Sequence, residues 1–256
     1  MILTFLGTGT SQGIPVAGCS CAVCLSSDPR DNRMRSSVYI EAGIHVLVDT
    51  TPEFRVQAIR AGIKDIDAVL ITHAHADHIM GFDDLRPYCI KKGGTMPVYA
   101  SSATMKNLRY TFLYAFDQEN VAYGYIHARA QIVDGPFDLG TLRVTPLSVP
   151  HGKMVTSGFL FSENGQKKLA YISDCASIPP DVEKEIEDLP LLIIDGLRQK
   201  PHPTHLSISE AVAVAQKVRA KRTLLTHLCH LVSHQEQEAK LPPEVRIAYD
   251  GMKVEL

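Results

Sequence analysis

Thr72-His73-Ala74-His75-Ala76-Asp77-His78 follows the apolar run Ala68-Val69-Leu70-Ile71 without a break. Residues of metal-ligating type crowd the end of a segment with the composition of a buried strand. In extended chain His73 and His75, two apart, point to the same side and can share one ion. Asp77 and His78 fall where the chain turns away and can reach a second ion nearby. As an ordinary surface cluster these side chains would repel one another on protonation and pack poorly.

Single residues of the same types recur at the ends of other short apolar runs. His151 follows Leu147-Ser148-Val149-Pro150, Asp174 follows Tyr171-Ile172-Ser173, and His227 follows Leu224-Leu225-Thr226. Each alone would read as structural. Together with the cluster they supply the missing ligands of a two-metal site on one edge of a layered sheet. Further buried strands are expected at Val38–Ile40, Val46–Val48, Leu169–Ile172, Leu191–Ile194 and Thr223–Leu225. Helices alternate with them. Thr51-Pro52-Glu53 reads as a helix start, with Thr51 as cap and Gly62 as stop. Ser207-Ile208-Ser209-Glu210 has the capping-box pattern. Strands and helices mixed along the whole length predict one α/β domain over 1–256. A helical, aromatic insertion is expected near 101–135, carrying Tyr110, Phe112, Tyr114, Phe116, Tyr123 and Tyr125.

Composition excludes several classes. The 256 residues carry 26 basic and 28 acidic side chains, a net charge of −2, so bulk electrostatic binding to nucleic acid or an anionic membrane is not expected. No apolar run approaches the ~20 residues of a membrane-spanning helix. Met1–Gly7 reads as a first strand rather than a signal peptide, which predicts a cytoplasmic protein. Of the 6 cysteines, Cys19, Cys21 and Cys24 are clustered, a spacing that favours metal over disulfides in a reducing compartment. Three thiolates leave a tetrahedral zinc one ligand short. His230, three residues after His227, can complete it, with Cys229 as substitute.

The ordered pattern His-x-His-x-Asp-His, distant His, distant Asp and final His resembles the metallo-β-lactamase-fold hydrolases. The resemblance extends from Phe5-Leu6-Gly7-Thr8-Gly9 to Asp250-Gly251-Met252. It implies a four-layer αββα sandwich, class α/β, with two metals at one edge between the sheets. Carried over, His73, His75 and His151 hold the first ion, Asp77, His78 and His227 the second, and Asp174 bridges them. Asp49, ending Val46-Leu47-Val48, matches the early aspartate that orients the cluster without binding metal. His75 stands where the redox di-iron members place Glu, which favours zinc or manganese hydrolysis over oxygen chemistry.

The thiolate cluster and the segment Pro201-His202-Pro203-Thr204-His205-Leu206-Ser207 are similar to the subgroup containing the phosphoribosyl 1,2-cyclic phosphate phosphodiesterases of carbon–phosphorus lyase pathways. That resemblance implies a structural zinc on Cys19, Cys21, Cys24 and His230, and His205 as general acid, with His202 the competing candidate. The expected activity is hydrolysis of a small or cyclic phosphodiester by a hydroxide shared between two cations, with Asp77 and His205 as catalytic residues. Arg86 and Arg198 are weak candidates for phosphate contact. His45, His127 and His234 are expected to be surface or packing residues. Relatives are often dimers, which makes a homodimer an expectation. The alternatives are an RNA-processing nuclease resembling the tRNA 3′-end endonuclease, a glyoxalase II-type thioesterase, and a non-catalytic metal-stabilised accessory protein.

Overall fold

A computed structural model describes residues 1–91, 94–117 and 124–256. The apolar runs pair into two sheets of 7 strands each. The first contains β1 (Ile2–Gly7), β2 (Ser37–Glu41), β3 (His45–Val48), β4 (Ala68–Leu70), β5 (Met96–Ala100), β6 (Ala128–Ile132) and, outside β1, β14 (Lys253–Glu255). The second runs from β7 (Phe137–Leu139) through β8 (Leu142–His151), β9 (Met154–Glu163), β10 (Gln166–Ile172), β11 (Leu191–Asp195) and β12 (Thr223–Thr226) to β13 (Val245–Ile247).

The strand side chains alternate between two apolar environments, so the runs are apolar on both faces. In β3, Val46 and Val48 face the second sheet while Leu47 faces outward. In β11, Leu191 and Ile193 face inward while Leu192 and Ile194 face outward. The inward residues meet Phe5, Phe159, Phe161 and Tyr171 between the sheets. Over the outer face of the first sheet lie α1 (Phe54–Ala61), α2 (Ala76–Ile79), α3 (Arg86–Lys91) and α4 (Ser102–Thr111), seated through Phe54, Ile79, Cys89, Met105 and Leu108. Over the second lie α5 (Pro180–Glu185) and α6 (Ile208–Lys217), seated through Val182, Ala211 and Ala215. Helix, sheet, sheet and helix give the expected αββα sandwich. A last short helix, α7 (His234–Glu238), packs near β13. No helix among the described residues is long and apolar enough to cross a membrane.

Several local expectations hold and two change. Gly62 closes α1 at φ 69°, and the Ser207–Glu210 capping box opens α6. α1 starts at Phe54 rather than behind Thr51, however. Thr51 Oγ1 donates to Gln57 Oε1 (2.9 Å) instead of capping, and its carbonyl accepts the Phe54 N–H (2.8 Å), so Thr51–Glu53 form a turn. Among the described residues of the segment 101–135, helix covers Ser102–Thr111 and Leu113–Ala115, and Ala128–Ile132 is the edge strand β6, paired in parallel with β5. The part of that expected insertion at 118–123, including Tyr123, lies outside the described residues.

A buried polar network ties the first loop to the far end of the chain. Arg33 is 1% exposed and donates to Thr8 Oγ1 (2.8 Å), the Ala248 carbonyl (2.6 Å) and His234 Nδ1 (3.1 Å). Thr8 in turn donates to Asp250 Oδ1 (2.8 Å), whose other oxygen accepts the Met34 N–H (2.7 Å). Because Arg33 can only donate, His234 accepts through Nδ1 and its ring is neutral. Burial, then the charge of Arg33, hold His234 down to about 4. The unfolded ring titrates near ~6.5, so the native state binds fewer protons than the unfolded chain between the two values. The stability this contributes is full above about pH 6.5 and is lost as the pH falls from there to about 4. Urea unfolding should show the wild type losing about 3 kcal/mol more than His234→Gln between roughly pH 7 and pH 4.

Candidate metal centre

Strands β3, β4, β10, β11 and β12 each end with a polar residue at, or within three positions of, the last strand residue. β3 and β4 run parallel, as do β10, β11 and β12. β8 is antiparallel to β9, and β9 to β10, so β8 points the same way as β10. The carboxyl ends of these strands gather at one edge, where α/β sheets bind ligands. Asp49, His73, His151, Asp174, Asp195 and His227 are delivered there by register. Asp49 (φ 63°) and His227 (φ 59°) both take the left-handed backbone conformation, uncommon for residues with a Cβ, which turns the chain sharply as it leaves β3 and β12.

The hydrogen bonds fix which nitrogen of each imidazole faces inward. Asp49 is fully buried and accepts from the Thr72 N–H (2.8 Å), Thr72 Oγ1 (2.8 Å) and His78 Nδ1 (2.7 Å). Thr72 Oγ1 spends its proton on Asp49, so it accepts from His73 Nδ1 (3.0 Å). His151 Nδ1 donates to the Thr204 carbonyl (2.8 Å). The other nitrogens, with their lone pairs, converge on the cavity. His73 Nε2 lies 2.9 Å from His75 Nδ1. Two ring nitrogens this close, one of them unprotonated, need a shared proton or a shared cation.

Around Asp174 the approaches are 3.3 Å to His78 Nε2, 3.4 Å to His227 Nε2, 3.9 Å to His151 Nε2 and 4.0 Å to His73 Nε2. Asp77 Oδ2 is 3.3 Å from His78 Nε2. Ligands ~2.0–2.1 Å from one tetrahedral ion stand about 3.3 Å apart, so the closest of these spacings match that edge. His78 Nε2 and Asp174 Oδ1 are buried and make no hydrogen bond. The donor set therefore fits divalent cations: His73, His75 and His151 could hold one, and Asp77, His78 and His227 another, with Asp174 between.

The electrostatics agree. Burial and the neighbouring His78 hold His73 well below its ordinary value, burial and His151 lower His75, and burial brings His227 to about 4. These imidazoles are held neutral, the form in which a histidine can ligate a cation. His78 behaves oppositely. Burial lowers it, but the carboxylates of Asp174, Asp77 and Asp49 outweigh burial and hold it protonated. Positive charge is demanded there. Burial pushes Asp77 and Asp174 up, yet the charged His78 beside both prevails and keeps them ionised.

A second cluster joins distant parts of the chain. Cys19, Cys21 and Cys24 place Sγ 3.3, 3.6 and 3.5 Å from His230 Nδ1. A thiolate and an imidazole on one tetrahedral zinc stand about 3.6 Å apart. The Cys24 N–H brings Cys21 down to about 6, while burial drives Cys24 up to about 11. His230, and not Cys229, lies in this group.

His205 projects into the same edge as the first cluster. Its ring lies 4.7 Å from His151 and 4.9 Å from His227. Nδ1 meets the fully buried Asp195 Oδ2 at 2.7 Å, which leaves Nε2 for the cavity. Burial holds His205 below its ordinary value. His202 instead turns Nδ1 to Thr204 Oγ1 (3.1 Å). The cavity has a volume of about 400 Å³, and His75, Asp77, His151, Asp174, His205 and His227 line it. Arg86 and Arg198 do not line it. Arg198 spends its guanidinium on the carbonyls of Lys200 and Pro201 (3.1 and 3.0 Å), and thereby shapes the loop before His205. Two further residues at the site escaped the sequence reading. Asp195, behind His205, has a visible signal, an acid closing the apolar run Leu191–Ile194 as Asp49 closes Val46–Val48. Lys153 is among the cavity-lining residues, and its only signal is its place after His151-Gly152.

Residues 45–228 match the family described as "Beta-lactamase superfamily domain". The structure of "a New Diphosphatase from the PhnP Family" is similar at 41% identity and TM-score 0.91, covering 100% of this chain and 97% of that one. Zinc-bound PqqB from Methylobacterium extorquens shares the fold at 19% identity and TM-score 0.83, covering 100% of both chains. An octanoyltransferase from Porphyromonas gingivalis is 36% identical over 97% of this chain, but the chain spans 50% of that protein's length. Asp49 orients donors without facing the cavity. Asp49→Ala should therefore lower divalent-metal affinity by about 10–100-fold, measured by competition with a chromogenic chelator.

Proposed function

The chain belongs to the β-lactamase superfamily and resembles its PhnP-like hydrolases, and from that premise we propose that it is a dinuclear-metal phosphodiesterase acting on small or cyclic phosphodiesters. The observation that carries this reading is the convergence of His78 Nε2 and His227 Nε2 on Asp174 at ligand-to-ligand spacing, beside the close pair of His73 Nε2 and His75 Nδ1. Bound divalent cations, zinc or manganese, would acidify a water and draw charge from the phosphoryl oxygens.

The side chains divide the remaining work. Asp77 and Asp174 stay ionised, balance the cations and orient the attacking water. Asp49 keeps His73 and His78 in the ligating tautomer. His205 gives a proton from Nε2 to the departing alkoxide. Burial and Asp174 hold Asp195 well above the usual carboxylate range, so Asp195 passes a proton to Nδ1 as Nε2 gives one up. Cys19, Cys21, Cys24 and His230 hold a structural zinc that fastens the first loop to the segment after β12. Free thiols throughout agree with a reducing, cytoplasmic setting. A phosphoanhydride is the second candidate substrate, favoured by the diphosphatase name of the 41% identical neighbour.

Purified protein supplied with metals should turn over cyclic ribose phosphates, cyclic nucleotides or diphosphate esters in preference to RNA ends and thioesters. Thioester turnover without diester turnover overturns the reading. Metal analysis should find about three ions per chain, two of them readily chelated, with Cys21→Ser losing one zinc and stability. His205→Ala should cost about 10²–10⁴-fold on alkyl diesters and far less on nitrophenyl diesters, whose leaving group needs no proton. Equal losses on both reject the general-acid role.

A further inference from the structure

His227 departs from the rule that other imidazoles of the site follow. His73, His78 and His151 each bond Nδ1 to a protein oxygen, at 3.0, 2.7 and 2.8 Å. His227 Nδ1 is buried and makes no hydrogen bond among the described residues. Its contact lies at the front instead. Nε2, which stands 3.4 Å from Asp174 Oδ2, is also 3.1 Å from Thr10 Oγ1. A protein hydroxyl therefore occupies the atom that a cation would need.

The hydroxyl does not owe its place to the ring. The Thr10 N–H donates to the Leu228 carbonyl (3.0 Å), and the Thr10 carbonyl accepts the Gly13 N–H (2.9 Å). Just before it, the Gly9 N–H donates to the Met34 carbonyl (2.8 Å) and the Gly9 carbonyl accepts from Ser36 Oγ (3.0 Å). The packing there is so close that a Cβ on Gly9 would meet the Arg33 carbonyl at 2.9 Å. The loop thus keeps Thr10 beside His227 even when the bond between them is lost. A bound ion ends that bond. Nε2 carries one lone pair or one proton, so a cation on it displaces the hydroxyl whichever partner donates beforehand. The hydroxyl is then left with a proton to give. Thr10 is only 8% exposed, so bulk water serves it poorly, and Asp174 is already engaged with His78 and His227. His227 and Ser11, the residue after Thr10, both line the cavity. A buried donor without an acceptor is costly, and a ligand in the cavity supplies one.

Resting on the hydrolysis proposed above, we infer that Thr10 is a substrate-binding residue whose hydroxyl, released from His227 by a bound cation, donates to an oxygen of the phosphoryl group under attack. An anionic phosphoryl oxygen accepts more strongly than a neutral one. Thr10 thus exchanges one partner, the ring, for another, the substrate. It competes with the ion for Nε2 and does not hold the ring from behind, so its loss should not weaken the metal.

The test measures orthophosphate binding to metal-loaded protein and, separately, divalent-metal affinity by competition with a chromogenic chelator. Thr10→Val replaces the hydroxyl with a methyl of similar shape. It should weaken orthophosphate about tenfold, as expected for one hydrogen bond to a charged acceptor, while metal affinity stays level or rises. Thr10→Ser should bind orthophosphate like the wild type. Thr10→Ala should show the same loss as Thr10→Val, with no methyl to crowd the loop. Orthophosphate affinity unchanged in Thr10→Val and Thr10→Ala overturns the assignment. So does a fall in metal affinity, which would make Thr10 a support of His227 and not a contact of the substrate. Diester turnover by the wild type is read apart from these. Diesters hydrolysed, with phosphate binding indifferent to Thr10, keep the hydrolysis reading and remove this one. Phosphate binding that depends on Thr10, with no diester hydrolysed, keeps this assignment and removes the hydrolysis reading.

Discussion

Each imidazole has two nitrogens, and in the best-defined part of this site the fold spends one on protein so that the other must face the cavity. Asp49 is the hub of that economy. One fully buried carboxylate receives Thr72 twice and His78 once, and through the Thr72 hydroxyl it sets the tautomer of His73. His151 and His205 are treated alike by the Thr204 carbonyl and by Asp195. Neutral rings with their lone pairs turned inward are poor company for one another without a positive charge among them. The arrangement therefore has a definite sign: it calls for positive charge, and the same carboxylates hold His78 well above its ordinary value against its burial.

Such an arrangement is affordable only on a rigid support. Residues with left-handed φ at Asp49 and His227 would relax if the strands below them could shift. They cannot shift independently, because β3 and β12 lie inside their sheets, paired on both sides, with apolar layers above and below. Here packing stores the strain and the strand ends express it. The αββα architecture contributes alignment: parallel strands from both sheets end at the same edge, so one residue of slip would turn a ligand into the core.

Much of this was readable in the chain because ligand-type residues at the ends of apolar runs are chemically conspicuous. His73, His75, Asp77, His78, His151, Asp174 and His227 were found that way, and the structure gathers them. The misses have physical causes. Thr51 has the chemistry of a helix cap, but a side-chain partner six residues on, Gln57, claims its hydroxyl, and sequence pattern does not reveal tertiary competition. Ala128–Ile132 is Ala-Arg-Ala-Gln-Ile, with weak strand propensity, and becomes a strand because β5 offers a free edge. Arg198 is by sequence only a weak candidate for phosphate contact, and its guanidinium bonds the carbonyls of its own loop. Lys153 carried no motif, and only the turn between β8 and β9 brings it to the cavity wall.

The thiolate cluster bears on the same edge from the other side. His230 sits three residues beyond His227, in the segment that leaves β12 through a left-handed turn. The intervening Leu228 is bonded both ways to the first loop: its N–H donates to the Thr8 carbonyl, and its carbonyl accepts the Thr10 N–H, each at 3.0 Å. Thr10 Oγ1 then lies 3.1 Å from His227 Nε2. A cation held by Cys19, Cys21, Cys24 and His230 would close a loop around this contact, joining residues 19–24 to 230. Its effect would fall on the unfolded ensemble, as for any crosslink spanning a long stretch of chain, and on the backbone turn that aims His227. Sequence distance between the two clusters is therefore misleading. In space the thiolates stand against His230, in the segment that presents His227, so a cation held there would brace that histidine.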